Sequence, residues 1–345
     1  MTRSTSSRSA ATRGADPMTV ELTGSAPAYD GAALPEAGHP TRCVWCGAAL
    51  NATTGRLRGR IRCSACGSAT TDPWPTEVEL EAAYGGWYRP KRESWEQPNE
   101  GGRRFSMAGD AILNRTRGLL AARLDEIAPP GPVLDVGAGE GTLVDALAAR
   151  GREAVGLERG SARADFIDAA IEQVGGDGTW AAVVLWHSLE HLPRPGAAIA
   201  AAARLLKHGG VIAIAVPNNA SLQAGAFGDE WLHLDLPRHL VHLTDRSLRE
   251  GLVANGFSVE RTSYARGGQI VVGWLDGLVG AMPGGLDLYM ALRRSEARAE
   301  RLPPSRRALS IAAGVTLLPL AAICAFAELM MRRGGTVYVE ARNGT

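Results

Sequence analysis

The 345-residue chain predicts a doubly wound α/β architecture. Its centre would be a seven-stranded, mostly parallel sheet, with a small cysteine ribbon ahead of it and an apolar helical insertion near its end. Three observations carry this. An apolar strand, Val133–Val136, runs through a glycine turn into a helical stretch, Leu143–Ala149. Strand and helix patterns then alternate to about residue 262, the order that builds a parallel sheet. The run Trp180–Trp186 is apolar throughout, as a strand covered on both faces must be.

The N-terminal elements come first. Residues 1–40 are rich in Ser, Thr, Ala, Gly and Pro without apolar periodicity, and predict a disordered tail. Its early arginines have no apolar face or h-region beside them, so no targeting segment is read there. Four of the five cysteines form Cys43-x2-Cys46 and Cys63-x2-Cys66, sixteen residues apart, each pair followed by glycine (Gly47, Gly67). That spacing fits a zinc ribbon over 41–72. Four thiolates would close the tetrahedron, so the metal is read as structural. Two disulfides or a redox pair are the alternatives, disfavoured without a secretory signal. Residues 73–128 read as linker and lid helices. Thr76 caps a helix with Glu77 and Glu79 in its first turn, and Tyr84-Gly85-Gly86-Trp87-Tyr88 either packs ribbon on core or walls a pocket. Asp110–Ile127 carries Ile112, Leu119, Leu120, Leu124 and Ile127 at helical spacing and stops at Pro129-Pro130. This helix would cover the glycine turn that follows the first strand.

The core spans 129–267. Gly137, Ala138, Gly139 and Gly141 form the turn after the first strand, where glycine permits close backbone approach and the following helix points its amides back. The spacing is G-x-G-x-G, not the G-x-G-x-x-G of dinucleotide sites. Asp135 precedes the turn. Glu158 ends a second strand begun at Ala154, where a carboxylate can accept both hydroxyls of a ribose. Only Ser161–Val174 remains for a third strand and its helix, and Asp168 and Asp177 are the weak candidates for an acid near a base. Helix Pro195–Leu206, a turn at 207–210, strand Val211–Val216, helix Leu248–Asn255 and strand Phe257–Thr262 follow. Gly335–Arg342 supplies the last strand, within 335–345.

Trp180–Trp186 leads into His187, Glu190 and His191, at the carboxyl end of a parallel strand, where such folds bind ligands. Trp231, His233, Asp235, Arg238, His239 and His242 make a second polar cluster. The Asp135–Gly141 turn with Glu158 resembles motif I and the second acidic position of class I S-adenosylmethionine (SAM) dependent methyltransferases. The Leu189-Glu190-His191-x-Pro193 element, Val216-Pro217-Asn218 and Pro237-Arg238-His239 resemble the branch related to ubiquinone-biosynthesis O-methyltransferases, over roughly 110–262. The ribbon followed by Asp72-Pro73-x-Pro75-Thr76 is also typical of one branch. The resemblance implies SAM held by Asp135, Gly137, Ala138, Gly139, Gly141 and Glu158. His187 or His191 would be the general base on an acceptor hydroxyl, with Glu190 orienting it. It also hints at a second divalent ion held by His187, Glu190 and His191. Arg238 and His239 are read as substrate-facing; a surface Asp235–Arg238 pair is the plainer alternative.

Residues 268–334 are the insertion. Ile270–Pro283 holds one charge, Asp276, and Ala308–Ala327 holds none between Arg306-Arg307 and Arg332-Arg333. Run length would allow a span, but the flanking strands must return to one sheet. Pro319 suggests a bent or re-entrant hairpin that dips into or lies on a membrane, which would imply a lipophilic or lipid-linked acceptor and a cytoplasmic protein at the inner membrane face. A helical cap or a dimer face is the alternative. A net charge of +1 gives no footprint for nucleic acid. The function predicted is SAM-dependent methyl transfer. A degenerate scaffold of the same fold at a membrane surface is second, and a nicotinamide oxidoreductase third.

Overall fold

The structure is a computed structural model describing residues 22, 38–85, 115–161, 163–265, 268–292 and 302–344. Most of the N-terminal tail, Gly86 to Tyr88, and the predicted helix start at 110–114 lie outside the described residues.

The ribbon opens with α1 (Ala52–Gly55), β1 (Arg56–Leu57), β2 (Arg60–Arg62) and β3 (Ala69–Thr71), followed by α2 (Glu77–Gly85). Helix α3 covers 115–127. The core then runs β4 (Val133–Val136), α4 (Thr142–Ala148), β5 (Ala154–Leu157), β6 (Trp180–Trp186), α5 (Pro195–Leu205), β7 (Leu206–Pro217), α6 (Leu222–Phe227), β8 (Val241–His242), α7 (Asp245–Ala254) and β9 (Phe257–Ser263). The insertion holds α8 (Gly268–Gly280), α9 (Leu288–Leu292) and α10 (Pro304–Met330), and β10 (Thr336–Asn343) closes the sheet.

The main sheet has the order β5-β4-β6-β7-β10-β9. β4 to β7 run parallel, and β10 is antiparallel to both its neighbours. Successive residues of β6 serve opposite faces. Val183 and Leu185 join α5, α7 and the ribbon, while Ala182, Val184 and Trp186 join α3 and Leu143 and Leu147 of α4. Burial on both faces is why the strand shows no polar alternation.

Several expectations are corrected. The sheet has six strands among the described residues, not seven. The third-strand position is reduced to one parallel bridge, Leu157 to Ile167, because 161–174 is too short for a strand and crossover. β7 begins at Leu206. Residues 207–210, read as a turn, bulge out of the ladder between the Trp180–Leu206 and Ala182–Val211 pairs. Leu119 of α3 faces solvent, while Leu120, Ala121 and Leu124 are buried. Pro319 does not break α10, which is continuous across it. The hairpin instead pairs α10 with α8.

The ribbon is not a separate bead. β3 pairs with β8, so β1-β2-β3-β8 is one antiparallel sheet drawing strands from both regions. Trp45 locks the seam, its indole N–H donating to the Ser247 carbonyl at 3.1 Å. A Cβ on Gly251 would lie 2.2 Å from the Trp45 ring, so only glycine lets α7 approach so closely.

Candidate active site and metal ribbon

The turn after β4 places all three glycines at positive φ: Gly137 at 74°, Gly139 at 58° and Gly141 at 86°. The reasons differ. A Cβ at Gly137 would strike Ser188 and one at Gly141 would strike Arg163 and Phe166, whereas one at Gly139 would meet nothing within 4 Å. The turn is therefore packed at both ends and open in the middle, which leaves room for a ligand against the Gly139 backbone. Glu158 is half-buried and turned onto this opening, its Oε2 accepting the Gly139 amide at 2.8 Å. Burial raises its pKa, partly offset by the Gly139 N–H. Asp135 lies buried beneath the turn, and burial lifts its pKa to about 7 against the pull of Arg117. A cationic ligand above these two carboxylates would restore their charge, so the donor set fits the sulfonium and ribose of SAM.

The edge where a third strand is missing is filled locally. Arg163 stacks over Phe166 at 4.4 Å and pairs with Asp145 and Asp165, and Phe166 packs where a Cβ on Gly156 would be. Asp168 accepts the Gly160 amide, and Asp177 pairs with Arg204. Those bonds already account for both acids.

Five of the chain's seven histidines gather beyond β6. His187 takes a positive φ of 53°, and its Nδ1 lies 3.3 Å from Oε1 of the buried Glu190. Both His187 Nε2 and Glu190 Oε2 are buried without a partner among the described residues, a costly state that a ligand or acceptor would relieve. His191 Nδ1 lies 3.1 Å from the Arg238 carbonyl and 3.1 Å from the Tyr84 hydroxyl. Donation to that carbonyl leaves Nε2 with a lone pair. His239 meets His191 edge to face at 4.6 Å, and its Nδ1 lies 3.0 Å from the His233 carbonyl. Burial, then His191 and His242, holds His239 well below the usual histidine pKa, and burial takes His242 down to about 3.

Glu190, His191 and His239 bring ligand atoms within 4.8 Å of one another. The second-ion expectation named His187 with Glu190 and His191; among the described residues the third group converging with those two is His239, brought in by the loop after α6. Arg238 is buried and donates to Asp235 Oδ1 from Nε at 3.0 Å, so the expected surface pair is an interior one that shapes this loop. Tyr84 could have been found from its place before the Gly85-Gly86 pair. The His242–Thr71 contact at 3.1 Å could not, since it depends on the β3–β8 pairing.

Cys43, Cys46, Cys63 and Cys66 converge within 4.8 Å. The amides of Gly47 and Gly67 close both knuckles onto Cys43 and Cys63 carbonyls at 2.9 Å, at positive φ. The Cys66 thiol draws Cys43 down to about 4. Four sulfurs at this spacing fit a tetrahedral zinc ion.

Residues 112–262 match the family model described as a methyltransferase domain. A ubiquinone biosynthesis O-methyltransferase of Xanthomonas oryzae pv. oryzae (strain PXO99A) is 31% identical over 131 residues, 33% of this chain and 55% of that protein. Another from Xanthomonas campestris pv. campestris (strain B100) is 30% identical over 146 residues, covering 36% of this chain and 61% of that one. The chain thus spans little more than half the length of the curated relatives it matches. Among solved structures, geranyl diphosphate methyltransferase in complex with SAM superposes with a TM-score of 0.45 at 15% identity, over 72% of this chain and 92% of that one. The family match covers the region that carries motif I, the Leu189-Glu190-His191 element and Pro237-Arg238-His239.

Proposed function

We infer that the chain is a SAM-dependent methyltransferase acting on a hydroxyl of a small or lipid-linked acceptor. One observation carries the reading: a glycine turn left open at Gly139, with the Glu158 carboxylate turned onto it and Asp135 buried beneath. The family match over 112–262 supports it.

When bound, SAM supplies a methyl carbon already activated by its sulfonium. The chain's residues have the rest to do. Asp135 and the turn amides hold the donor, and Glu158 exchanges its Gly139 bond for the ribose hydroxyls. The histidine cluster orients the acceptor, and positioning supplies most of the acceleration. His191 Nε2 takes the acceptor proton: its Nδ1 is backed by the Arg238 carbonyl, which leaves Nε2 with the lone pair. His187 and Glu190 orient the acceptor from the β6 side, and Arg238 and His239 shape the far wall. The Glu190, His191 and His239 set would also suit a divalent ion polarising the acceptor oxygen.

A non-catalytic binding role is the second reading, favoured by the missing third strand. Isothermal titration with SAM separates the two from any other ligand class: micromolar binding lost in Glu158→Gln supports the assignment, and no binding by metal-loaded protein overturns it. Labelled methyl transfer to lipid and small-molecule extracts, lost in His191→Ala, then separates enzyme from scaffold.

A further inference from the structure

Helix α10 is built inside out. Its inward seam is made of small or polar residues, Ser310, Gly314, Ala321, Ala325 and Glu328, all buried. Its large apolar side chains point away from the protein: Val315 is 69% exposed, Ile323 66%, Phe326 65% and Met330 68%. Only 22% of its most apolar stretch is buried. Soluble helices show the reverse, with the large residues inward. This face is not a loose end. Glu328 accepts from the Gln223 side-chain amide at 2.7 Å and from the Trp274 indole at 2.9 Å, fastening α10 to α6 and α8. The apolar face is therefore held at a fixed angle to the core.

Charge identifies what covers it. Arg306 and Arg307 stand at one end and Arg332 and Arg333 at the other, all exposed, and 308–327 holds no charge. Two-fold pairing with a second copy would set arginines against arginines with no acid on the face to offset them. Anionic headgroups complement both ends. A crossing is disfavoured by what would have to cross. The 293–301 connection carries Arg293, Arg294, Glu296, Arg298, Glu300 and Arg301, each costly in hydrocarbon. The flanking strands β9 and β10 are also direct neighbours, so both ends of the insertion return to one sheet.

We propose that α10 lies flat on an anionic bilayer, its Leu309-to-Met330 outer face sunk to the acyl boundary and its terminal arginines among phosphates. The inference stands apart from the methyl-transfer reading, and SAM titration of the same samples tells their failures apart.

The test is co-sedimentation of the full chain with vesicles of phosphatidylcholine alone or with about one third phosphatidylglycerol, alongside light scattering for oligomeric state. The expected result is a monomer that pellets with the anionic vesicles and stays in solution with the neutral ones. The variant Ile323→Glu, Phe326→Glu, at two residues about two-thirds exposed on the outer face, should lose about a hundredfold or more in partitioning while SAM binding is unchanged. Arg306→Gln should cost about fivefold, on anionic vesicles only. A dimer that the double variant splits, equal binding to neutral vesicles, or no binding to either would each overturn the proposal.

Discussion

At the residue scale, Asp135 sits where its charge is unwelcome until a cation arrives. Its carboxyl is raised to about 7 by burial, above its unfolded value near 3.8. The native state therefore binds the proton more tightly, and this residue's contribution to stability falls as pH rises from about 4 to 7. Asp135→Asn should raise the melting temperature of the ligand-free protein at pH 8, leave it little changed at pH 4, and weaken SAM binding at least tenfold. Melting curves at both pH values with titration calorimetry check this; a variant equally stable at pH 8 with SAM affinity intact would remove Asp135 from the donor site. His242 has the opposite sign. Its folded pKa is about 3 against an unfolded value near 6.5, so its contribution is full above 6.5 and drains away as pH falls towards 3. His242→Gln should flatten the acid limb of the stability curve between those limits.

At the element scale, the β3–β8 seam joins the cysteine ribbon to the histidine cluster proposed to face the acceptor. The Thr71 hydroxyl donates to the His239 carbonyl at 2.6 Å. Stripping the metal, or Cys63→Ser, should abolish transfer to the acceptor and redden Trp45 emission. SAM binding, which the proposed function assigns to the turn after β4 and to Glu158 after β5, should survive. Loss of both together would show that the ribbon supports the whole fold instead. Gly251→Ala, which drives a methyl into Trp45, should destabilise by about 1–3 kcal/mol in denaturant titrations. What the sequence reveals follows the same line. The glycine turn, strands β4 to β6 and the cysteine knuckles are short local patterns and could be read directly, whereas the start of β7 at Leu206 could not, because its bulge at 207–210 carries the Gly209-Gly210 signature of a turn. The β3–β8 pair joins residues far apart in sequence through two short strands, and a two-residue strand such as Val241–His242 has no periodicity to detect. His239 entered the cluster for the same reason: its place is set by the loop's path, not by its neighbours.

At the scale of the whole molecule, the insertion hangs from the edge of the sheet on a buried polar fastening. Glu328→Ala would strand the Gln223 and Trp274 donors in an apolar interior, and a loss of about 2–4 kcal/mol is expected in chemical unfolding. The apolar runs of the insertion were legible in the sequence; which side of α10 faced outward was not, because Pro319 suggested a break that the helix absorbs. The ribbon brings a further consequence, one of timing. Strand β3 is made about 170 residues before its partner β8. At ordinary synthesis rates that is a wait of roughly ten to thirty seconds. During it, the nascent ribbon shows a bare strand edge to the cell, and an ion captured by the four cysteines would keep that edge folded until its mate emerges from the ribosome.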